Sequence, residues 1–179
     1  MPDEAEATQG QKAPDIEAEE LFRHAMGSFA SGVTVVSCVA NGMDHVMTAS
    51  AVSSVSLDPP LILVCVNRSA RFHAAISSAP TWAVSVLSAE AKLHAEWFAT
   101  SGRQLAGQLD SVPHHRTPSG TAVLDQTLAT LECKTQQQLR AGDHDIVIGR
   151  VTSVDRGSGT QPLLYWRTQY RELATGSQP

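Results

Sequence analysis

No apolar run in this chain is long enough to span a bilayer. The first residues also lack the basic and apolar regions of a signal peptide. A cytoplasmic protein that does not associate with membranes is therefore expected. Cysteine is scarce: Cys38, Cys65 and Cys133 each sit in an apolar, strand-like segment. An odd count without CxxC spacing argues against a disulfide framework and against a zinc site, so reduced buried thiols and no bound metal are expected. No GxGxxG follows a strand-like segment, which excludes a Rossmann domain. No pair of carboxylates stands out for acid–base work. No basic face interleaved with aromatics suggests nucleic acid. Residues Gly27 to Gly32 (GSFASG) lack the GxSxG spacing of a nucleophile elbow, and they run from helix to strand, the wrong order for one.

What is present is an ordinary soluble composition: 179 residues, 42% hydrophobic, with a mean hydropathy of −0.12. That is enough chain for one domain with a substantial core. The net charge of −5 is concentrated at one end. Met1 to Glu20 holds seven acids and one base, and the remainder carries 11 acids and 12 bases. We expect a disordered acidic tail over residues 1–16, a single domain over 17–173 and a short tail over 174–179.

Apolar residues at Leu21, Ala25, Met26 and Phe29 recur at helical spacing and predict a helix over 17–29. Gly32 to Val39 reads as a strand that is apolar on both faces and hence interior. Asn41-Gly42 is a strong hairpin signal. A helix is predicted over 69–77, starting at Ser69. A second is predicted from Ser88, as N-cap, to Ala99, burying Leu93 and Trp97 or Phe98. Further strands are predicted over 82–87, 128–134, 145–154 and from 163. Residues 100–121 read as a long polar loop. Six or more strands with a few helices and no βαβ alternation fit a closed or partly closed antiparallel barrel with helices packed outside.

The most informative stretch is Met47 to Asn67, MTASAVSSVSLDPPLILVCVN. Thr48, Ser50, Ser53, Ser54 and Ser56 place five hydroxyls in nine residues. Such a run can decorate a strand face or a turn. It can also let a phosphate-bearing ligand approach backbone N–H groups, with the hydroxyls as extra donors. Asp58-Pro59-Pro60 predicts a turn, and Leu61 to Val66 a buried strand delivering Asn67, Arg68 and Ser69 to the same place. Elsewhere His144 sits at a turn-to-strand junction, where it is either a surface residue or faces a cleft. His114 and His115 read as solvated, and His73 and His94 as helix-surface residues.

Several segments, in order, resemble the flavin reductase family with an FMN-binding split β-barrel fold. They are Phe22-Arg23-His24-Ala25-Met26-Gly27, Gly32-Val33-Thr34-Val35-Val36, Met47-Thr48-Ala49-Ser50, Ser53 through Leu61 (SSVSLDPPL), Ala141-Gly142-Asp143-His144 and Pro162-Leu163-Leu164-Tyr165. The resemblance implies a mainly β protein with peripheral helices. It implies NAD(P)H-dependent reduction of FMN or FAD by hydride transfer from nicotinamide to flavin N5, supplying a partner monooxygenase. It also implies a homodimer. Carried over by residue, Met47, Thr48, Ala49, Ser50, Ser53 and Ser54 would lie along the isoalloxazine edge and ribityl chain. Asn67 and Ser69 would reach ribityl and phosphate oxygens, and Arg71 would pair the phosphate. His144 would line the nicotinamide pocket, with Tyr170 at its rim. Val46 stands where many members carry Gly, and Ser50-Ala51-Val52 where many carry Asn-Ser-Phe. A non-catalytic flavin carrier on the same barrel and a pure interaction module are the alternatives.

Overall fold

A computed structural model describes residues 16–174. The expected acidic tail and the C-terminal tail lie almost wholly outside the described residues. In chain order the helices are α1 (Ile16–Gly27), α2 (Arg71–Ser78) and α3 (Lys92–Ala99). The strands are β1 (Ser31–Gly32), β2 (Thr34–Ala40), β3 (Met43–Ala49), β4 (Val52–Leu57), β5 (Pro60–Asn67), β6 (Thr81–Leu87), β7 (His114–Arg116), β8 (Ala122–Leu124), β9 (Thr127–Ala141), β10 (His144–Arg156), β11 (Leu164–Trp166) and β12 (Gln169–Arg171).

Seven strands form one antiparallel sheet in the order β3-β2-β6-β9-β10-β5-β4. Its two edge strands, β3 and β4, are consecutive in the chain and joined only by Ser50 and Ala51. A link that short spans roughly 10 Å at most, so the sheet must curl until its edges meet. The edges do not pair with each other. The result is a barrel with a split seam, crossed by the hydroxyl-rich segment.

The hairpin predicted at Asn41-Gly42 is present: both residues have positive φ, 52° and 72°, and the turn pairs Ala40 with Met43. β2 is buried on both faces, as its sequence predicts. One face packs Val36 and Cys38 into the barrel core with Trp82, Val64 and Val147, closed over by Phe72 and Ile76 of α2. The other packs Val35 against a second core with Ala95 and Phe98 of α3 and Leu109 and Val112 of the following loop. Burial pushes the thiols of Cys38 and Cys133 up to about 12, so both stay protonated. All three cysteines are free. Gly149 lies against the Trp82 indole, where a Cβ would collide with the ring.

Several boundaries differ from expectation for identifiable reasons. The second helix begins at Arg71, because Asn67 Oδ1 accepts from the Ser69 N–H (2.8 Å) and hydroxyl (2.6 Å) and holds Ser69 in a turn. Ser88 does not cap a helix. Its hydroxyl donates to the Gln126 carbonyl (3.2 Å), and a single 3-10 turn, Ala89–Ala91, precedes α3. The core face of α3 is Ala95 and Phe98, while Leu93 (75%) and Trp97 (42%) are exposed. The strand expected to end at Lys134 runs on to Ala141, because its polar half continues to pair with β10. The long loop carries β7, paired with β8. α1 buries none of its residues.

Candidate functional site

Two cavities flank the segment that crosses the seam. The first, a cleft of about 490 Å³, lies between the β3 edge, the β5–α2 turn and the loop after α3. His45, Met47, Asn67, Ser69, Arg71, Phe98 and Arg103 are among its walls. The second is a groove of about 940 Å³. Ser50, Ser53, Ser54 and Cys65 line it together with Phe22, Met26, Phe29 and Tyr165.

The predicted site residues therefore divide. Met47, Asn67, Ser69 and Arg71 meet in the cleft, and Ser50, Ser53 and Ser54 in the groove. Thr48 and Ala49 lie between the two. The Thr48 hydroxyl donates to the Ala95 carbonyl (2.7 Å), and the Ala49 carbonyl accepts from Thr34 (2.7 Å). Tyr170 is elsewhere: it packs edge-on to Tyr165 at 5.4 Å and borders a separate small cavity with Lys92 and Glu172. The structure thus does not bring Tyr170 to either principal cavity.

His144 opens β10 directly across from Asn67. Its Nδ1 donates to Asp143 Oδ1 (2.8 Å), and the same aspartate accepts from Asn67 Nδ2 (3.3 Å). The bond from His144 holds the Asp143 carboxyl below its ordinary range. The Arg68 N–H donates to the Asp143 carbonyl (2.9 Å), so the 142–145 turn is fixed to the end of β5. His144 is thereby held across the strand pair from Asn67, with its side chain 41% exposed, and it is not among the residues lining the cleft or the groove.

The loop after α3 covers the open edge of β3. Gln108 donates to the Asp44 carbonyl (2.6 Å), and Arg103 donates to the carbonyls of Val46 and Phe98. Two side chains thus satisfy edge carbonyls that no neighbouring strand reaches. Arg71 donates in turn to the Arg103 carbonyl (2.7 Å).

The cleft contains residues that the sequence did not single out. Arg103 lies in a loop without periodicity. His45 carried a readable signal: it precedes Met47 by two positions on a strand, and so shares its face. Two helix histidines are half-buried rather than fully at the surface. His73 Nε2 bonds the Asp145 carboxylate at 2.8 Å, and His94 Nδ1 is buried. Of the loop histidines, His114 donates to the Val112 carbonyl and His115 contacts Asp125, each at 2.7 Å. Among the described residues no helix is long and apolar enough to cross a membrane, and no group of residues is arranged to hold a metal ion.

A split antiparallel barrel with peripheral helices, whose seam cleft is lined by hydroxyl, amide and guanidinium donors, is the architecture of the FMN-binding split barrels. Residues 26–174 match the flavin reductase like domain, and the chain belongs to that family. It is 36% identical over 149 residues to the reductase component of a 4-nitrophenol 4-monooxygenase/4-nitrocatechol 2-monooxygenase from Rhodococcus opacus, covering 83% of this chain and 78% of that one. It is 36% identical to an NADH:riboflavin 5'-phosphate oxidoreductase from Streptomyces pristinaespiralis, over 89% of this chain and 90% of the other. Among solved structures, it resembles the NADH:FAD oxidoreductase SgcE6 of Streptomyces globisporus, in complex with NAD and FAD fragments. That match has a TM-score of 0.84 at 31% identity, over 94% of this chain and all of the other.

Proposed function

We propose that this protein is an NAD(P)H:flavin oxidoreductase that reduces FMN or FAD and supplies the reduced flavin to a monooxygenase component. The observation that carries this reading is the donor-lined seam cleft in a chain of the flavin reductase family. Relatives named as NADH-dependent FMN and FAD reductases support NADH as the reductant. Nicotinamide and flavin supply the chemistry when bound: a hydride passes from the nicotinamide ring to flavin N5. The protein then needs no nucleophile and no strong base, in keeping with the lack of a carboxylate pair.

The chain's own residues bind, orient and exclude water. Two groups in the cleft wall, the Arg71 guanidinium at the start of α2 and the Ser69 hydroxyl once it turns from Asn67 Oδ1, fit a phosphate. Asn67 lies beside them for the ribityl chain. The segment from Met47 to Ser54 runs from the cleft, at Met47, to the groove, at Ser50 to Ser54, so a flavin can lie along it with its phosphate in the cleft and its ring toward Ser50, Ser53 and Ser54. His144, oriented by Asp143, stands at the nicotinamide side. The domain that does this runs over 17–173.

A homodimer completes the groove. Phe22 (67%), Met26 (52%) and Phe29 (73%) are exposed along α1 and its end, and Val55 and Leu57 along edge strand β4. A second copy laid on this apolar face would cover the ring end of the flavin.

The test is steady-state turnover of purified protein with each of NADH and NADPH against each of FMN and FAD. Consumption of reduced nicotinamide that depends on added flavin supports the reading. No consumption above background in any of the four combinations ends it.

A further inference from the structure

His45 is buried in the wall of the seam cleft, 9% exposed, and neither of its ring nitrogens meets a partner at good hydrogen-bond geometry. The register of β3 sets it opposite Cys38 and two residues from Met47. That is the face over which α2 packs Phe72 and Ile76. A neutral imidazole has one N–H and one acceptor nitrogen, and folded proteins rarely leave both unpaired in the interior. The Ala40 carbonyl is close enough to raise the proton affinity of the ring and can accept from one nitrogen; the other is left for a partner from outside the chain.

The charged and titratable groups around His45 specify that partner's sign. From α2 comes Arg71, and from the loop after α3 comes Arg103. The Cys38 thiol across the strand pair stays protonated. On its own strand Asp44 is adjacent, but that carboxylate is held by both guanidinium nitrogens of Arg116, at 2.5 and 2.8 Å. Burial lowers the His45 pKa, and Arg71 lowers it further; the Ala40 carbonyl and Asp44 oppose this without reversing it. The resting cleft thus holds a neutral imidazole beside two arginines, a setting that an incoming dianion would invert.

We propose that His45 takes up a proton from solvent when a flavin nucleotide binds, and donates a hydrogen bond to its phosphate, so that the cleft distinguishes FMN from riboflavin. No covalent bond forms or breaks. This deepens the reading in which Ser69 and Arg71 hold the flavin phosphate, and depends on it. The sign follows from linkage. The bound state has the higher His45 pKa, so binding is tighter at low pH and weakens as pH rises toward the bound-state value.

The experiment is calorimetric titration of the whole chain with FMN and with riboflavin, in two buffers of different ionisation enthalpy, from about pH 7 to 8.5, where the phosphate is already a dianion. FMN is expected to take up close to one proton per site at the lower end. Its affinity falls by up to about tenfold per pH unit, while riboflavin takes up none and shows a flat profile. In His45→Gln, which keeps hydrogen-bonding atoms but cannot titrate, the FMN uptake disappears. Equal uptake for the two flavins, zero included, overturns the inference, as does uptake that persists in the variant. Should the variant not fold, the two wild-type titrations still decide. If neither flavin binds and reduced nicotinamide is not consumed, the reductase reading falls and this inference with it. FMN binding without proton uptake overturns this inference alone.

Discussion

His73 on α2 and Asp145 on β10 are joined by a 2.8 Å bond between Nε2 and Oδ2, and that bond links the helix bearing Arg71 to the strand bearing His144. Gln138 donates to the same oxygen at 2.6 Å, and Arg68 Nε lies 3.9 Å from the other. The phosphate end and the nicotinamide end of the proposed site therefore share one anchored carboxylate.

Acid stability follows from that carboxylate. The hydrogen bond from His73, then that from Gln138, lowers the Asp145 pKa below its ordinary 3.8. A lowered folded-state pKa stabilises the fold at pH above the unfolded value and loses that contribution as pH falls through the folded one. Asp145→Asn should flatten the fall of Tm below about pH 4, relative to the parent chain. Parallel acid limbs in thermal melts would contradict the assignment.

Arg71 is exposed and not part of either core, so its removal tests binding rather than folding. Arg71→Ala is expected to weaken FMN by roughly tenfold or more, the scale of one charge-assisted hydrogen bond. Riboflavin affinity and Tm should hardly change. Fluorescence titration with the two flavins measures the difference.

In the proposed reading His144 acts on nicotinamide and not on the flavin phosphate. His144→Ala should raise KM for reduced nicotinamide about tenfold, on the order of 1.4 kcal/mol, and leave the FMN Kd within experimental scatter. An altered FMN Kd with unchanged KM for nicotinamide would reverse the assignment.

Gly149 should not tolerate a side chain. The Trp82 ring it touches is fully buried and cannot swing aside. Gly149→Ala is expected to destabilise the fold by about 1–3 kcal/mol, the usual scale of overpacking. Chemical denaturation reads this directly as a lower midpoint at unchanged slope.

The proposed homodimer has its own test. A charge at the exposed Phe29 should oppose burial against a second copy. Light scattering is expected to give twice the chain mass for the parent protein and a shift toward one chain for Phe29→Asp. A parent protein that is monomeric at assay concentration would remove the dimer.

Local patterns in the sequence were enough for much of this protein. Continuous apolar runs and turn chemistry gave the hairpin at Asn41-Gly42, the doubly apolar β2 and the core of β5 from Leu61 to Val66, because each depends on neighbours a few residues away. The motifs from Met47 to Leu61 and around His144 placed the chain in its family. The sequence was less informative where contacts run across the fold. Ser69 was read as the start of a helix because the bond from Asn67 that holds it outside one depends on how the turn closes. Of the residues expected to face inward on α3, Phe98 does and Leu93 does not, because the second core selects Ala95 and Phe98. His73 looked like a surface histidine until β10 brought Asp145 beneath it. His45, Arg103 and Arg71 meet only because the curled sheet brings its β3 edge up to the β5–α2 turn. Strand and turn chemistry is written locally, but which side chains face one another across the seam is decided by the barrel's closure.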